Sequence, residues 1–151
     1  MPILHEGVNV SGHHGSCRCG LISAEASAAP VWQSYCHCRD CRKQTGAPVM
    51  AFVGFPADAL AWFGEPNSWR GAGGVTRMFC GHCGSQIGYT DERLPGEIYL
   101  ALGFMDEPES YPPEAHAFVE RQLPFLHMTD ELPRFDGFSM ERPTMKTEKD
   151  R

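Results

Sequence analysis

Seven cysteines fall into three groups: Cys17 and Cys19 in "SCRCG", Cys36, Cys38 and Cys41 in "YCHCRDCRKQTGAP", and Cys80 and Cys83 in "FCGHCGS". Thiols spaced this closely in a reducing compartment point to metal ligation rather than to disulfides. The Cys80-x-x-Cys83 pair reads as a zinc knuckle. Two thiolates on a tight turn can face one ion, and Gly81 and Gly84 let the backbone bend so that its N–H groups approach the sulfurs.

A closed tetrahedral site takes four ligands, so the knuckle needs a second pair. Either Cys17 with Cys19 or two of Cys36, Cys38 and Cys41 can supply it, and the first choice divides the seven as four plus three. Cys36, Cys38 and Cys41 would then hold an ion whose fourth position is open to water or substrate, the feature that separates catalytic from structural zinc. Two other readings compete at this stage. A histidine, most easily His37 or His82 and less so His13 or His14, could close the second site, or the three thiols could form a redox-active triad.

Arg39, Arg42 and Lys43 flank this cluster and could attract the carboxylates of a peptide-like thiol such as glutathione; as ordinary solvated charges on a short helix they would do nothing of the kind. Thr45 and Gly46 shape the turn beside it, and Gly46 leaves room for close approach of a substrate.

Sixteen Gly and twelve Pro punctuate the chain, which disfavours long amphipathic helices. Strands are expected in "PVMAFVGF", "LAWFG", "VTRMFC", "SQIGYT", "EIYLALGF" and "HAFVE", with a weaker one in "LISAEASA". One short helix is expected over Arg39–Gln44, closed by Gly46 in a left-handed turn. The fold class is therefore mainly β, two small sheets or a partly open barrel, with the cysteines at strand ends and turns. The aromatics Trp32, Trp62, Trp69, Phe52 and Phe55 are expected in the core or a pocket wall. A polar tail, 139–151, is expected to fray.

With 151 residues the chain is read as one domain. A formal charge of -6 with scattered basic residues argues against nucleic-acid binding. The first residues lack the basic start and apolar run of a secretory signal, and no segment has the roughly 18 apolar residues of a membrane span, so a cytoplasmic setting without membrane partners is expected.

The blocks "GSCRCG", "YCHCRDCRKQTGAP", "WFGEPNSWRG", "TRMFCGHCGS", "LGFMDEP", "HAFVE" and "LPRFDG" resemble, in order, those of the glutathione-dependent formaldehyde-activating enzyme (GFA) family, also called the centromere-protein-V domain family. The resemblance covers 12–138, leaving an extension, 1–11, and the tail, 139–151. It implies an Mss4-like two-sheet fold with one short helix at the second cysteine cluster and two zinc ions. The structural zinc would take Cys17, Cys19, Cys80 and Cys83, and the catalytic zinc Cys36, Cys38 and Cys41. The implied activity is carbon–sulfur lyase chemistry joining glutathione and formaldehyde as S-hydroxymethylglutathione. The alternative is a non-catalytic zinc-stabilised binding module of the same fold. Asp106 and His116 stand where the family blocks carry Asp and His and are candidate proton-transfer groups, with turn-capping or hydrogen-bonded structural roles as the competing reading. A Trp usual in the family after "HAFVE" is replaced here by "LPFLHM", and Phe125 is expected to take its volume.

Overall fold

A computed structural model describes residues 12–139 of the chain. Among these residues, ten strands form two sheets, and one α-helix connects two neighbouring strands of the larger sheet. The small sheet has order β1-β2-β5, with β1 at His13–Ser16, β2 at Ser23–Ala26 and β5 at Leu60–Phe63, all antiparallel.

The large sheet contains β3 (Trp32–Cys36), β4 (Met50–Pro56), β6 (Asn67–Arg70), β7 (Val75–Phe79), β8 (Gln86–Asp91), β9 (Glu97–Ala101) and β10 (His116–Ala117). Its order is β10-β3-β4-β9-β8-β7-β6, antiparallel throughout except that β10 runs parallel to β3. The helix, α1, spans Arg39–Thr45.

Strand β4 explains how the layers meet. Phe52, Val53, Gly54 and Phe55 are buried in succession, so both faces of the strand are covered. Side chains alternate along a strand, which sends Phe52 and Phe55 to opposite faces. Phe55 packs on His13 of β1 and on Tyr111, with ring centroids 5.5 and 6.3 Å apart. Phe52 meets Tyr89 of β8 edge-on at 4.9 Å on the other face. Val53, Phe55, Ile87 and Leu100 are almost inaccessible, each contributing roughly 1.5–3 kcal/mol of burial.

The expected strands are present with shifted ends. "HAFVE" is extended only at His116–Ala117, because Phe118 takes a left-handed conformation with φ 55° and a 3₁₀ turn, Val119–Arg121, follows. "EIYLALGF" likewise leaves the sheet after Ala101 and turns through Leu102–Phe104. Strands β1, β3 and β6 lie outside the segments expected to be extended. Two side-chain expectations fail. Phe125 is 72% exposed, so it does not take over a buried Trp volume, and Trp69, on the wholly exposed β6, is 55% exposed rather than core. Of the termini, the extension 1–11 and 140–151 lie outside the described residues. Ser139, where the tail was expected to start, is buried against Ser34, with their hydroxyls 2.9 Å apart.

Candidate metal centres and the cavity beside them

The four-cysteine cluster is built from two sheets. Cys17 and Cys19 follow β1 of the small sheet, and Cys80 and Cys83 follow β7 of the large one. The Sγ atoms of all four lie within 4.8 Å of one another, with Cys17 to Cys19 at 3.5 Å and Cys19 to Cys80 at 3.8 Å. Gly84, at φ 75°, closes the knuckle by donating its N–H to the Cys80 carbonyl at 2.8 Å. Backbone and hydroxyl donors then reach the sulfurs: the Ile22 N–H lies 3.3 Å from Cys17, and the Ser85 hydroxyl lies 3.2 Å from Cys83, pulling that thiol down to about 5.

The second cluster is local. Cys36 ends β3, Cys38 caps the N-terminus of α1, and Cys41 lies in its first turn. The cap works through sulfur, which accepts the Cys41 N–H at 3.2 Å. The helix stops at Gly46, φ 75°, whose N–H bonds the Arg42 carbonyl, as the sequence led one to expect. The three Sγ atoms lie within 4.8 Å of one another, Cys36 to Cys41 at 3.5 Å, and all three residues are buried. Hydrogen bonds from the Cys36 and Cys41 thiols, helped by the Cys41 N–H and Arg77, hold Cys38 down to about 3, while the contacts with Cys38 and Cys41, and then burial, push Cys36 well up.

For zinc–sulfur bonds of about 2.3 Å, tetrahedral geometry sets sulfurs about 3.8 Å apart, so the spacing in both clusters suits such an ion. Every cysteine is free, so neither cluster is disulfide-linked. Among the described residues, no His, Asp or Glu joins the three-sulfur cluster as a fourth donor. The histidines that could have closed it are engaged or elsewhere. His37 Nε2 pairs with His116 Nδ1 at 2.9 Å, His13 Nδ1 lies 2.7 Å from the Tyr111 hydroxyl, and His82 is exposed.

His37 and His116 belong to a buried chain that ends on Asp130. The carboxylate of Asp130 accepts from His116 Nε2 at 2.9 Å, so His116 Nδ1 accepts from His37 Nε2, and His37 Nδ1 is left as a buried acceptor with no partner. The bond to His116 holds Asp130 below the usual carboxylate range. Burial first, then the neighbouring His116, push His37 down to about 4. Register decides which way His116 points. It pairs with Tyr35 while Ala117 pairs with Cys36, so Ala117 shares the face of Cys36 and His116 takes the opposite one.

The face that carries Cys36 also carries a cavity of about 30 Å³. Trp32, Ser34 and Cys36 of β3 line it by alternation, with Phe52 of β4, Tyr99 of β9 and Tyr89 of β8 continuing across the sheet. Phe118 and Phe138 wall it, edge-to-face at 5.1 Å. Among the described residues Phe118 is the one non-glycine at positive φ, a conformation that costs on the order of 1–3 kcal/mol. Its N–H is fixed on the Gly137 carbonyl at 2.9 Å.

Arg77 completes the surroundings. It is 5% exposed, lies 5.3 Å from the Tyr89 ring centroid, and reaches Asp40 at 2.7 Å and the Cys41 sulfur at 3.7 Å. Burial, and then the charge of the three cysteines, raise the Tyr89 phenol well above its ordinary value.

The other candidates sit as follows. Arg39 and Lys43 are exposed on α1, whereas Arg42 donates to the carbonyls of His37 and Arg121 at 2.6 and 2.5 Å. Thr45 donates to the Cys41 carbonyl at 2.7 Å and accepts the Ala47 N–H at 3.2 Å. Asp106 accepts from Ser16, the residue before Cys17, at 2.5 Å. Sequence reasoning passed over Arg77, Tyr89 and Asp130. The signal for Arg77 was a charged residue two positions from Val75, on the buried side of an alternating strand.

A family-wide profile of the "Glutathione-dependent formaldehyde-activating enzyme" matches residues 12–121. The chain belongs to the GFA family. Among solved structures, a Rhodobacter sphaeroides protein aligns with a TM-score of 0.50 at 19% identity, covering 62% of this chain and 87% of that one, which shows a shared fold. No curated protein matches the chain. The mainly β, two-sheet, one-helix architecture with metal-competent cysteine clusters is that of an Mss4-like GFA domain. No described helix is long and apolar enough to cross a membrane.

Proposed function

We propose that this GFA protein is a zinc-dependent carbon–sulfur lyase that makes or breaks adducts between a thiol such as glutathione and a small aldehyde such as formaldehyde. The observation that carries the reading is the three-sulfur cluster, which no fourth protein donor joins among the described residues, on the same sheet face as a cavity. Family membership supports the reaction class.

In this reading Cys17, Cys19, Cys80 and Cys83 hold a structural zinc, and Cys36, Cys38 and Cys41 hold a catalytic one. Bound there, zinc supplies an electrophilic centre that favours a thiolate or polarises a carbonyl. The chain's own residues prepare that place. The Cys41 N–H and the Arg77 guanidinium offset the negative charge gathered on the sulfurs. Arg42, spent on two carbonyls, fixes α1 to the segment after Phe118 rather than binding substrate. Arg39 and Lys43 remain open to the carboxylates of a thiol such as glutathione, and Gly46 leaves the turn uncrowded, with nothing near the place a Cβ would take. His116, on the far side of its strand from Cys36, acts on His37 rather than on substrate. In the addition, the thiol S–H bond breaks, a sulfur–carbon bond forms, and the carbonyl oxygen gains the proton.

Zinc analysis with X-ray absorption, run beside turnover on a panel of thiols and small aldehydes, tests the reading. Two zincs are expected, one with four sulfurs and one with three sulfurs and an exchangeable light ligand. Four protein donors at both sites, with no turnover, would instead identify a binding module.

A further inference from the structure

Among the described residues no Asp, Glu, Lys, Arg or His lines the cavity beside Cys36, and its hydroxyl groups differ in how they are used. Ser34 donates to the Tyr35 carbonyl at 2.7 Å and lies 2.9 Å from the Ser139 hydroxyl, and the Tyr99 hydroxyl donates to Glu97. Tyr89 is the exception: its hydroxyl makes no hydrogen bond among the described residues, nor is it a sealed orphan like His37 Nδ1. The ring that carries it is clamped on three sides, stacked on Tyr99 at 5.2 Å, edge-on to Phe52 at 4.9 Å and under Arg77. A rigid phenol with an unused donor therefore faces accessible space beside the three-cysteine cluster.

We propose that this cavity is a carbonyl pocket: it takes an uncharged aldehyde with a short hydrocarbon substituent, and the Tyr89 hydroxyl donates a hydrogen bond to the aldehyde oxygen. The walls set the charge. A carboxylate or ammonium among six aromatic rings would lose its hydration without gaining a counter-ion, whereas a methyl or ethyl group loses nothing there. The volume sets the size, since about 30 Å³ is room for about two to three water-sized positions. The oxygen needs a donor in such a place, and Tyr89 is the lining hydroxyl that makes no hydrogen bond among the described residues. As the sulfur–carbon bond forms and the carbonyl electron pair moves onto oxygen, that bond strengthens, while the proton that ends on oxygen comes from the thiol and the phenol keeps its own. The two carboxylates of glutathione do not fit this lining, so a thiol of that kind presents its sulfur from outside. The strained Phe118 is then a wall held at some cost to shape the pocket.

The proposal rests on the lyase reading for its reaction but not for its binding preference, so binding is tested separately. Acetamide and acetate, an uncharged and a charged carbonyl of one shape, are titrated into the metal-loaded full chain and its Tyr89→Phe variant, with the Trp32 indole resonance as reporter. Circular dichroism and metal content confirm that the variant keeps its fold. Expected are saturable acetamide binding, acetate at least about tenfold weaker, and acetamide weakened about tenfold by Tyr89→Phe. Acetate binding as tightly, no acetamide binding, or an unchanged variant would each overturn the pocket. In turnover, acetaldehyde should outpace the charged glyoxylate, and Tyr89→Phe should lower kcat for acetaldehyde about tenfold or more. Intact acetamide discrimination with no turnover on any aldehyde would remove the lyase reading and leave the pocket standing.

Discussion

The sulfurs of Cys19 and Cys80 lie 3.8 Å apart although 61 residues separate them, and they join the end of a strand in the small sheet to the end of one in the large sheet. An ion at this cluster ties two layers together, whereas one held by Cys36, Cys38 and Cys41 spans a single strand end and one helical turn. Structural zinc sites contribute on the order of 10 kcal/mol, comparable to a whole domain's net stability of about 5–15 kcal/mol. Cys80→Ser is therefore expected to abolish cooperative unfolding or leave the chain insoluble. Cys38→Ser should keep a native circular dichroism spectrum while losing one metal equivalent and turnover. Equal damage to the fold from both variants would show that the clusters are not specialised.

The buried His37–His116 pair makes a second prediction. His116→Leu would leave the His37 Nε2 proton without an acceptor at a position with no solvent access, a loss of about 1–3 kcal/mol. Asp130→Asn should cost less, because Asp130 is partly solvated and an amide can still bond to His116. Thermal melts should rank His116→Leu below Asp130→Asn and both below the parent, with metal content unchanged. A His116→Leu protein that melts with the parent would show that the chain is not fixed as described.

Acid stability follows from the same pair. Folding holds His37 near 4 against an ordinary value of 6.5, so between those values the unfolded chain takes up a proton that the folded chain refuses. Stability contributed by neutral His37 is complete above about pH 6.5 and is lost as pH falls toward 4. The imidazole resonances of His37 should stay constant from pH 8 to about 5.5 while the melting temperature begins to drop below pH 6.5. A His37 resonance that titrates near 6.5 would contradict this.

The cysteine groupings were legible because two-residue spacings and adjacent glycines constrain geometry locally, and so were α1, its Gly46 cap and most strands. What escaped the sequence depends on register. Strand β6 has no buried face, so hydrophobic patterning could not mark it. Strand β3 reads as a weak mixture, "WQSYC", and becomes one side of the cavity only by pairing with β4 and β10. That same pairing sends His116 away from Cys36, a one-residue consequence that composition cannot convey. Tyr89 and Arg77 gain their roles by lying opposite each other on β8 and β7, from segments that the sequence shows only as strands.

Arg77 gives the last prediction. Its guanidinium is buried, with Asp40 at 2.7 Å and the Cys41 sulfur at 3.7 Å, and it lies over the Tyr89 ring. Burial by itself would lower its basicity, yet the negative neighbours Cys41 and Asp40 outweigh that and keep it charged. Lysine preserves the charge but not the planar fork that serves Asp40, the sulfur and the ring together. Arg77→Lys is expected to lose part of this arrangement, and Arg77→Met all of the charge while filling a similar volume. Competition with a chelator should therefore release the ion of the three-cysteine site about tenfold more readily from Arg77→Met than from the parent, with Arg77→Lys between them. Release from the four-cysteine site should not change, because none of the contacts given by Arg77 reaches it. Equal release from both sites would mean that Arg77 stabilises the fold as a whole rather than the charge gathered at Cys36, Cys38 and Cys41.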